Sequence, residues 1–318
     1  MSIPVPYHRL ARTDAHRWWR PIVGTLFIVF AGGAVGIGGY LAAGAAAALA
    51  GRPDNADEMP SFGALPDLAL GFLGIAAFLP IVLLAARWIQ RRPAGTLSSV
   101  TGRLRWRWLL VCLPVALVAI VLFLGGGLAL AGATGSDTGL DDALAGWGPF
   151  VVSMVVLLVV VPPQAAAEEY LMRGWLLQGV GTWFRRPWVP IAVQALVFAA
   201  LHGWGTPWGF ADLTVFAVVA GWLTVRTGGL EAAIALHLMN NVVGSGLAAA
   251  YGDLGMDETA ADMPWQLAAV DLPVLLGYAA VILWLARRRG LTVTAPVRSI
   301  PAPRPAVFVP TGQLVQRS

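Results

Sequence analysis

Residues 150–173 read FVVSMVVLLVVVPPQAAAEEYLMR. An uncharged run from Phe150 to Val161 is followed by Pro162 and Pro163, then by adjacent Glu168 and Glu169, and then by Arg173. A run this apolar reads as a membrane helix. A charged side chain at the centre of such a helix costs about 2.5 kcal/mol or more, so intramembrane ionisable residues point to function. Two adjacent carboxylates make this stretch the first place to look for chemistry.

The rest of the chain agrees with a membrane setting. Its 318 residues are 58% hydrophobic and only 12% charged, with a mean hydropathy of +0.71. That composition excludes an ordinary soluble domain and predicts an all-α, polytopic membrane helix bundle. Eight segments qualify as spans: Pro21–Ala50, Leu65–Ala86, Trp108–Gly132, Phe150 to about Gly181, Trp188–His202, Trp208–Val225, Gly229–Ala250 and Gln266–Ala286. The fifth is short. Ile22–Ala50 is about twice the length of a signal-peptide core, so it reads as a retained first span. Residues 1–20 form a basic arm ending in Trp18 and Trp19, residues 21–289 the transmembrane domain, and residues 290–318 a Pro-, Val- and Thr-rich tail expected to be disordered. No internal repeat of the kind found in many transporters is visible.

All 21 basic residues are arginine. With abundant Ala and Gly, this points to a GC-rich bacterial source and the bacterial cytoplasmic membrane. A pI near 9.8 raises nucleic acid as a partner, but the arginines cluster at span ends, where membrane orientation explains them. Arg9, Arg12, Arg17 and Arg20 precede the first span. Arg87, Arg91, Arg92, Arg103, Arg105 and Arg107 follow the second, Arg185 and Arg186 the fourth, Arg226 the sixth, and Arg287, Arg288 and Arg289 the eighth. The alternate loops hold Asp54, Asp57 and Glu58, then Asp137, Asp141 and Asp142, then Asp253, Asp257, Glu258 and Asp262, with only Arg52 against them. The positive-inside rule therefore places both termini in the cytoplasm. The single cysteine, Cys112, excludes an intramolecular disulfide and any cysteine-based metal site, and reads as a small packing residue.

Few polar residues lie within the spans. His202 and His237 are the two histidines there; Phe198 precedes the first by one helical turn, and Asn241 follows the second at the same spacing. Glu168 and Glu169 point about 100° apart, so they cannot act alike. Glu169 can pair with Arg173 one turn on, leaving Glu168 to face a cavity as a general base. Asp212 and Glu231 read as helix caps or interfacial residues, and Asp271 as structural. A glutamate and a histidine can activate water for attack on a peptide carbonyl, directly or through a metal such as zinc held by Glu168, His202 and His237. A histidine and an asparagine can stabilise the oxyanion.

Glu168-Glu169-x-x-x-Arg173, Phe198-x-x-x-His202 and His237-x-x-x-Asn241 together resemble the CPBP family. It comprises type II CAAX prenyl proteases and bacteriocin-processing or immunity proteins, and is also called the abortive-infection family. The resemblance covers roughly residues 150–250. It implies an eight-helix intramembrane endopeptidase whose site opens to the cytoplasm. Glu168 and His202 would then activate water, His237 and Asn241 stabilise the oxyanion, and Glu169 and Arg173 orient the site. Its partners would be the bilayer and a peptide or lipid-anchored protein. The competing readings are a non-catalytic immunity or adaptor protein, and a proton-coupled transporter that relays protons through the same residues.

Overall fold

The structure is a computed structural model that describes residues 4–54, 59–136, 138, 143–255 and 259–296. It is an all-α polytopic bundle. Helices α1 (Arg20–Leu49), α2 (Ala64–Ala76), α3 (Phe78–Trp88) and α4 (Trp106–Ala133) form its first half. The second half contains α5 (Trp147–Glu169), a π-helical segment Tyr170–Leu176, and α6 (Leu177–Gly181), followed by α7 (Trp188–Leu201), α8 (Pro207–Thr227), α9 (Glu231–Tyr251) and α10 (Trp265–Arg288). With α2–α3 and α5–α6 each continuous, seven helices are long and apolar enough to cross a bilayer among the described residues. The fifth expected span, α7, has 14 residues. It rises only about 21 Å, against a hydrocarbon core of about 30 Å, so it ends inside the bundle at His202.

The connections divide into two faces. On one, the N-terminal arm meets the α6–α7 loop, with Arg9 donating to Phe184 O and Arg12 to Thr182 O. The α3–α4 loop is tied there to the α8–α9 loop by Val100 N to Gly228 O and Leu230 N to Ser98 O. Val5–Pro6 pairs antiparallel with Thr294–Ala295 just after α10. The start of the expected disordered tail is therefore docked, and residues 297–318 lie outside the described residues. On the opposite face, Ala145 N bonds Ala250 O, and Thr206 N bonds Ala261 O. The first face carries the arginine-rich loops and the second the acidic ones, so the charge alternation in the sequence corresponds to a real separation in space. Asp57, Glu58, Asp137, Asp141, Asp142, Asp257 and Glu258 lie outside the described residues.

Two acids differ from expectation. Glu231 is neither a cap nor interfacial: it is fully buried and takes Arg105 in a two-pronged ion pair, Nε to Oε1 at 2.9 Å and Nη2 to Oε2 at 2.6 Å. That pair clamps the start of α4 to α9. Asp212 on α8 is buried, not a cap, and lies beside the buried carboxyl of Asp271 on α10.

Glycine permits the closest approach of α1 to the core. A Cβ at Gly24 would fall 2.3 Å from the Trp175 ring. The indole cannot retreat, since it is 1% exposed and its Nε1 donates to Thr25 Oγ1 at 2.9 Å. Gly24→Ala is expected to destabilise the fold by about 1–3 kcal/mol through overpacking, read as a lower thermal midpoint in detergent; an unchanged midpoint would show that α1 does not seat on Trp175.

Candidate functional site

The prolines at 162 and 163 do not end α5, which runs through them to Glu169. Beyond it the chain enters the π-helical segment, whose wider turns advance each residue through a smaller angle. Such segments often mark functional sites. Here the change of phase comes immediately after the two glutamates and accompanies a change of surroundings. Glu168 lines a cavity of about 630 Å³. Past Glu169, the residues Met172, Arg173, Gly174 and Trp175 are buried.

Glu169 is completely buried and accepts from Arg173 Nη1 at 2.8 Å, the pairing expected from the four-residue spacing. The same Oε1 accepts from His237 Nδ1 at 2.8 Å. The Arg173 guanidinium lies over the Phe198 ring, 4.5 Å from its centroid, and 5.8 Å from that of Phe216. Both rings also meet His237 edge-on. The aromatic residue of the second motif thus supports a buried cation with its face while packing against the imidazole.

Glu168 has a different environment. Its side chain is 14% exposed. Gln164 Nε2 donates to Oε1 at 2.6 Å, and His237 Nε2 lies 3.7 Å from Oε2. Gln164 in turn accepts from Asn241 Nδ2 at 3.0 Å, and Asn240 Nδ2 donates to Asn241 Oδ1 at 3.2 Å. A chain of amides therefore runs from α9 to α5 and fixes one oxygen of Glu168. The sequence reading missed Gln164 and Asn240. The available signal was Gln164 lying one helical turn before Glu168, on the same face.

His202 caps α7. Its Nδ1 is 2.9 Å from Phe198 O, and its ring lies 4.6 Å from the Phe198 ring. A carbonyl only accepts, so Nδ1 carries the hydrogen. The neutral ring then presents Nε2 as a bare acceptor. His202 lines the same cavity as Glu168, Gln164 and Asn241. The six residues singled out from the sequence thus fall into two layers. Glu168, His202 and Asn241 border the cavity, while Glu169 and Arg173 lie behind it and His237 joins the layers.

Among the described residues no group of three His, Cys, Asp or Glu side chains is arranged to hold a metal.

The cavity opens toward the acidic α9–α10 loop. The chain ends lie on the arginine-rich face. The cavity rim includes exposed Asp253, Gly255, Thr259 and Ala260 from the acidic α9–α10 loop. Most of the chain past Glu169, toward the arginine-rich face, is buried.

Residues 147–243 match the family model described as type II CAAX prenyl endopeptidase Rce1-like. The match begins at the first residue of α5, contains every motif residue named above, and agrees with the resemblance read from the three motifs. This region is similar to the Rce1-like family. The chain is also 25% identical over 200 residues to the uncharacterized protein YyaK of Bacillus subtilis (strain 168), covering 58% of this chain and 62% of that relative. It thus spans less than two thirds of the relative's length. No solved structure matches.

Proposed function

We propose that this multi-pass membrane protein, with its similarity to the Rce1-like family, is an intramembrane endopeptidase of the bacterial cytoplasmic membrane. It would hydrolyse a peptide bond in a membrane-associated protein or peptide. The observation that carries the reading is the division of labour within the acid pair: Arg173 neutralises Glu169, and Glu168 alone reaches the cavity.

In the proposed reaction, water enters the cavity between Glu168 and His202. The bare Nε2 of His202 accepts one of its hydrogens and orients it. Glu168 takes the other as the water oxygen bonds to the substrate carbonyl carbon. The Nδ2 of Asn241 retains one hydrogen beyond that given to Gln164, and donates it to the oxyanion. His237 donates from Nε2, which in this role carries a hydrogen, so the imidazolium and Arg173 together balance the two glutamates. The C–N bond then breaks, and Glu168 passes its proton to the leaving amine. Glu169, Arg173 and Gln164 are positioning residues.

The test is proteolysis by detergent-purified protein on a pool of quenched-fluorescence apolar peptides and on a prenylated CAAX peptide. Wild type is expected to cleave within this set, and Glu168→Ala, His202→Ala and His237→Ala to lose that cleavage. Equal cleavage by all three variants overturns the mechanism, and no cleavage by wild type favours the immunity or adaptor reading. Activity is expected to survive millimolar EDTA. Loss on chelation with recovery on adding zinc would return the water activation to a metal.

Gln164 provides a finer test. A hydrogen bond to a charged group is worth about 1.5–3 kcal/mol, so Gln164→Ala should lower kcat by about 10- to 100-fold. KM and the melting midpoint should stay near wild type, because Gln164 acts through Glu168. A rise in KM with kcat unchanged would instead place Gln164 in substrate binding.

A further inference from the structure

Helix α2 stands between two separate spaces. Leu68, Phe72 and Ile75, at helical spacing, turn one face to the cavity that holds Glu168. Leu70, Leu73 and Gly74 turn the opposite face to a groove of about 490 Å³ between α2 and α1. Phe78 closes one end of that groove by packing on Gly32, where a Cβ would fall 2.1 Å from its ring. Further along, α1 lines the groove with glycine. A Cβ at Gly33, Gly36 or Gly39 would meet nothing within 4 Å. Glycine weakens a helix relative to alanine. Unlike Gly24 against Trp175, these three leave room instead of making a contact.

At its other end the groove meets a second cavity, of about 460 Å³, with Tyr40, Leu70 and Gly71 lining both. This second space is walled by the α1–α2 loop and carries charge of both signs. Arg52 N bonds Ala47 O and Ser61 N bonds Pro53 O, each at 3.0 Å, which folds the loop over the end of α1. The Arg52 guanidinium lies 5.5 Å from the centroid of the Phe62 ring. Asp54 is exposed beside it, and Asp67 accepts from Ser61 Oγ at 2.6 Å. All three charged side chains line the cavity.

The two spaces lie at the depths of the two parts of a lipid. Twenty residues of helix rise about 30 Å, the thickness of the hydrocarbon core. Counted from Arg20 at the start of α1, that distance ends at Tyr40. The groove from Gly32 to Tyr40 therefore covers about 12 Å of the apolar layer, most of one leaflet's half of the core. Headgroups widen the bilayer to about 40–45 Å, and the 30 residues of α1 span that width. Arg52 and Asp54, just beyond its end, stand at headgroup level. This placement is the same whichever way the bundle faces.

We propose that the groove and the charged cavity form one binding site for a zwitterionic aminophospholipid, of the phosphatidylethanolamine type. Its phosphate sits against the Arg52 guanidinium and its ammonium against Asp54 and Asp67, as charge-assisted hydrogen bonds. One acyl chain lies in the glycine-lined groove. A purely anionic headgroup would set its net charge against two carboxylates, and a choline headgroup has no N–H to give them. The lipid braces α2 from the side away from Glu168. This inference does not depend on the peptidase reading.

Native mass spectrometry of the detergent-purified full chain tests it. Dioleoyl phosphatidylethanolamine, phosphatidylglycerol and phosphatidylcholine are offered in equal amounts. The chain is expected to retain a single phosphatidylethanolamine, by about tenfold or more over the other two. Arg52→Ala, which removes the partner of the phosphate, and Gly39→Leu, which fills the groove, should each cut retention by a similar factor. Both should melt near wild type without added lipid. Asp54→Asn should shrink the preference for ethanolamine over glycerol. Equal retention of the three lipids by wild type, or a preference for phosphatidylglycerol, overturns the proposal even where a variant fails to fold. So does retention unchanged in both Arg52→Ala and Gly39→Leu. Glycerophosphoethanolamine, the headgroup without chains, should not be retained; if it binds as well as the lipid, the groove plays no part and the proposal fails. Wild-type chains that pair, and separate in Gly39→Leu, would put a second copy in the groove and overturn it too.

Discussion

Glu168→Gln is expected to abolish hydrolysis in a protein that still folds. The carboxamide has the shape of the carboxylate, and its oxygen can still accept from Gln164 Nε2, the 2.6 Å partner of Oε1. What it cannot do is take a proton from water. General-base catalysis is worth about 10²- to 10⁴-fold, so kcat should fall by that range while the melting midpoint stays close to wild type. Glu169→Gln should behave differently: it withdraws charge from Arg173, which is fully buried, and from His237 at once. Its main effect is on folding. If Glu168→Gln keeps a tenth or more of wild-type kcat, the base has been assigned to the wrong group.

Arg173→Met should be the most damaging single change to stability. It removes the guanidinium from Glu169, whose side chain has no exposed surface, and leaves that carboxylate only its bond from His237 Nδ1. Removing one partner of a buried ion pair typically costs about 3–5 kcal/mol, a large share of the 5–15 kcal/mol that holds a typical domain folded. The 14 tryptophans make intrinsic fluorescence a suitable probe of unfolding in detergent. The double variant Glu169→Gln/Arg173→Met removes both charges and should recover much of the lost midpoint, because methionine fills the space over Phe198 and Phe216. It should stay inactive if Glu169 positions His237. A single variant that melts like wild type would mean the pair contributes nothing to the fold.

Much of this was legible in the sequence because charge in an apolar chain is conspicuous. Alternating arginine and acid fixed the parity of the crossings, and Arg173 one turn after Glu169 announced the pair. Amides are quieter. Gln164 and Asn240 carry no charge, and nothing in their local sequence separates a ligand to Glu168 from an ordinary helix contact. The Asp212–Asp271 contact joins separate helices, so Asp212 alone looked like a cap or an interfacial residue. The docking of the N-terminal arm was illegible for the same reason: Tyr7 reaches Leu97 O only because the arm folds back under α6. The resemblance named residues that the fold gathers, Glu168, His202 and Asn241 at the cavity and Glu169, Arg173 and His237 beside it, but motifs record neighbours along a helix and not which end of the bundle is packed.

The seal beneath the glutamates has a consequence for the membrane itself. A wet cavity reaching mid-bilayer shortens the insulating path, and a chain of water continuing past it would short-circuit the proton gradient. In this bundle the path below Glu168 meets the fully buried Arg173–Glu169 pair, its guanidinium seated against two aromatic rings. Packing of that kind interrupts a file of water, and so can keep the membrane tight around a site that has to admit it.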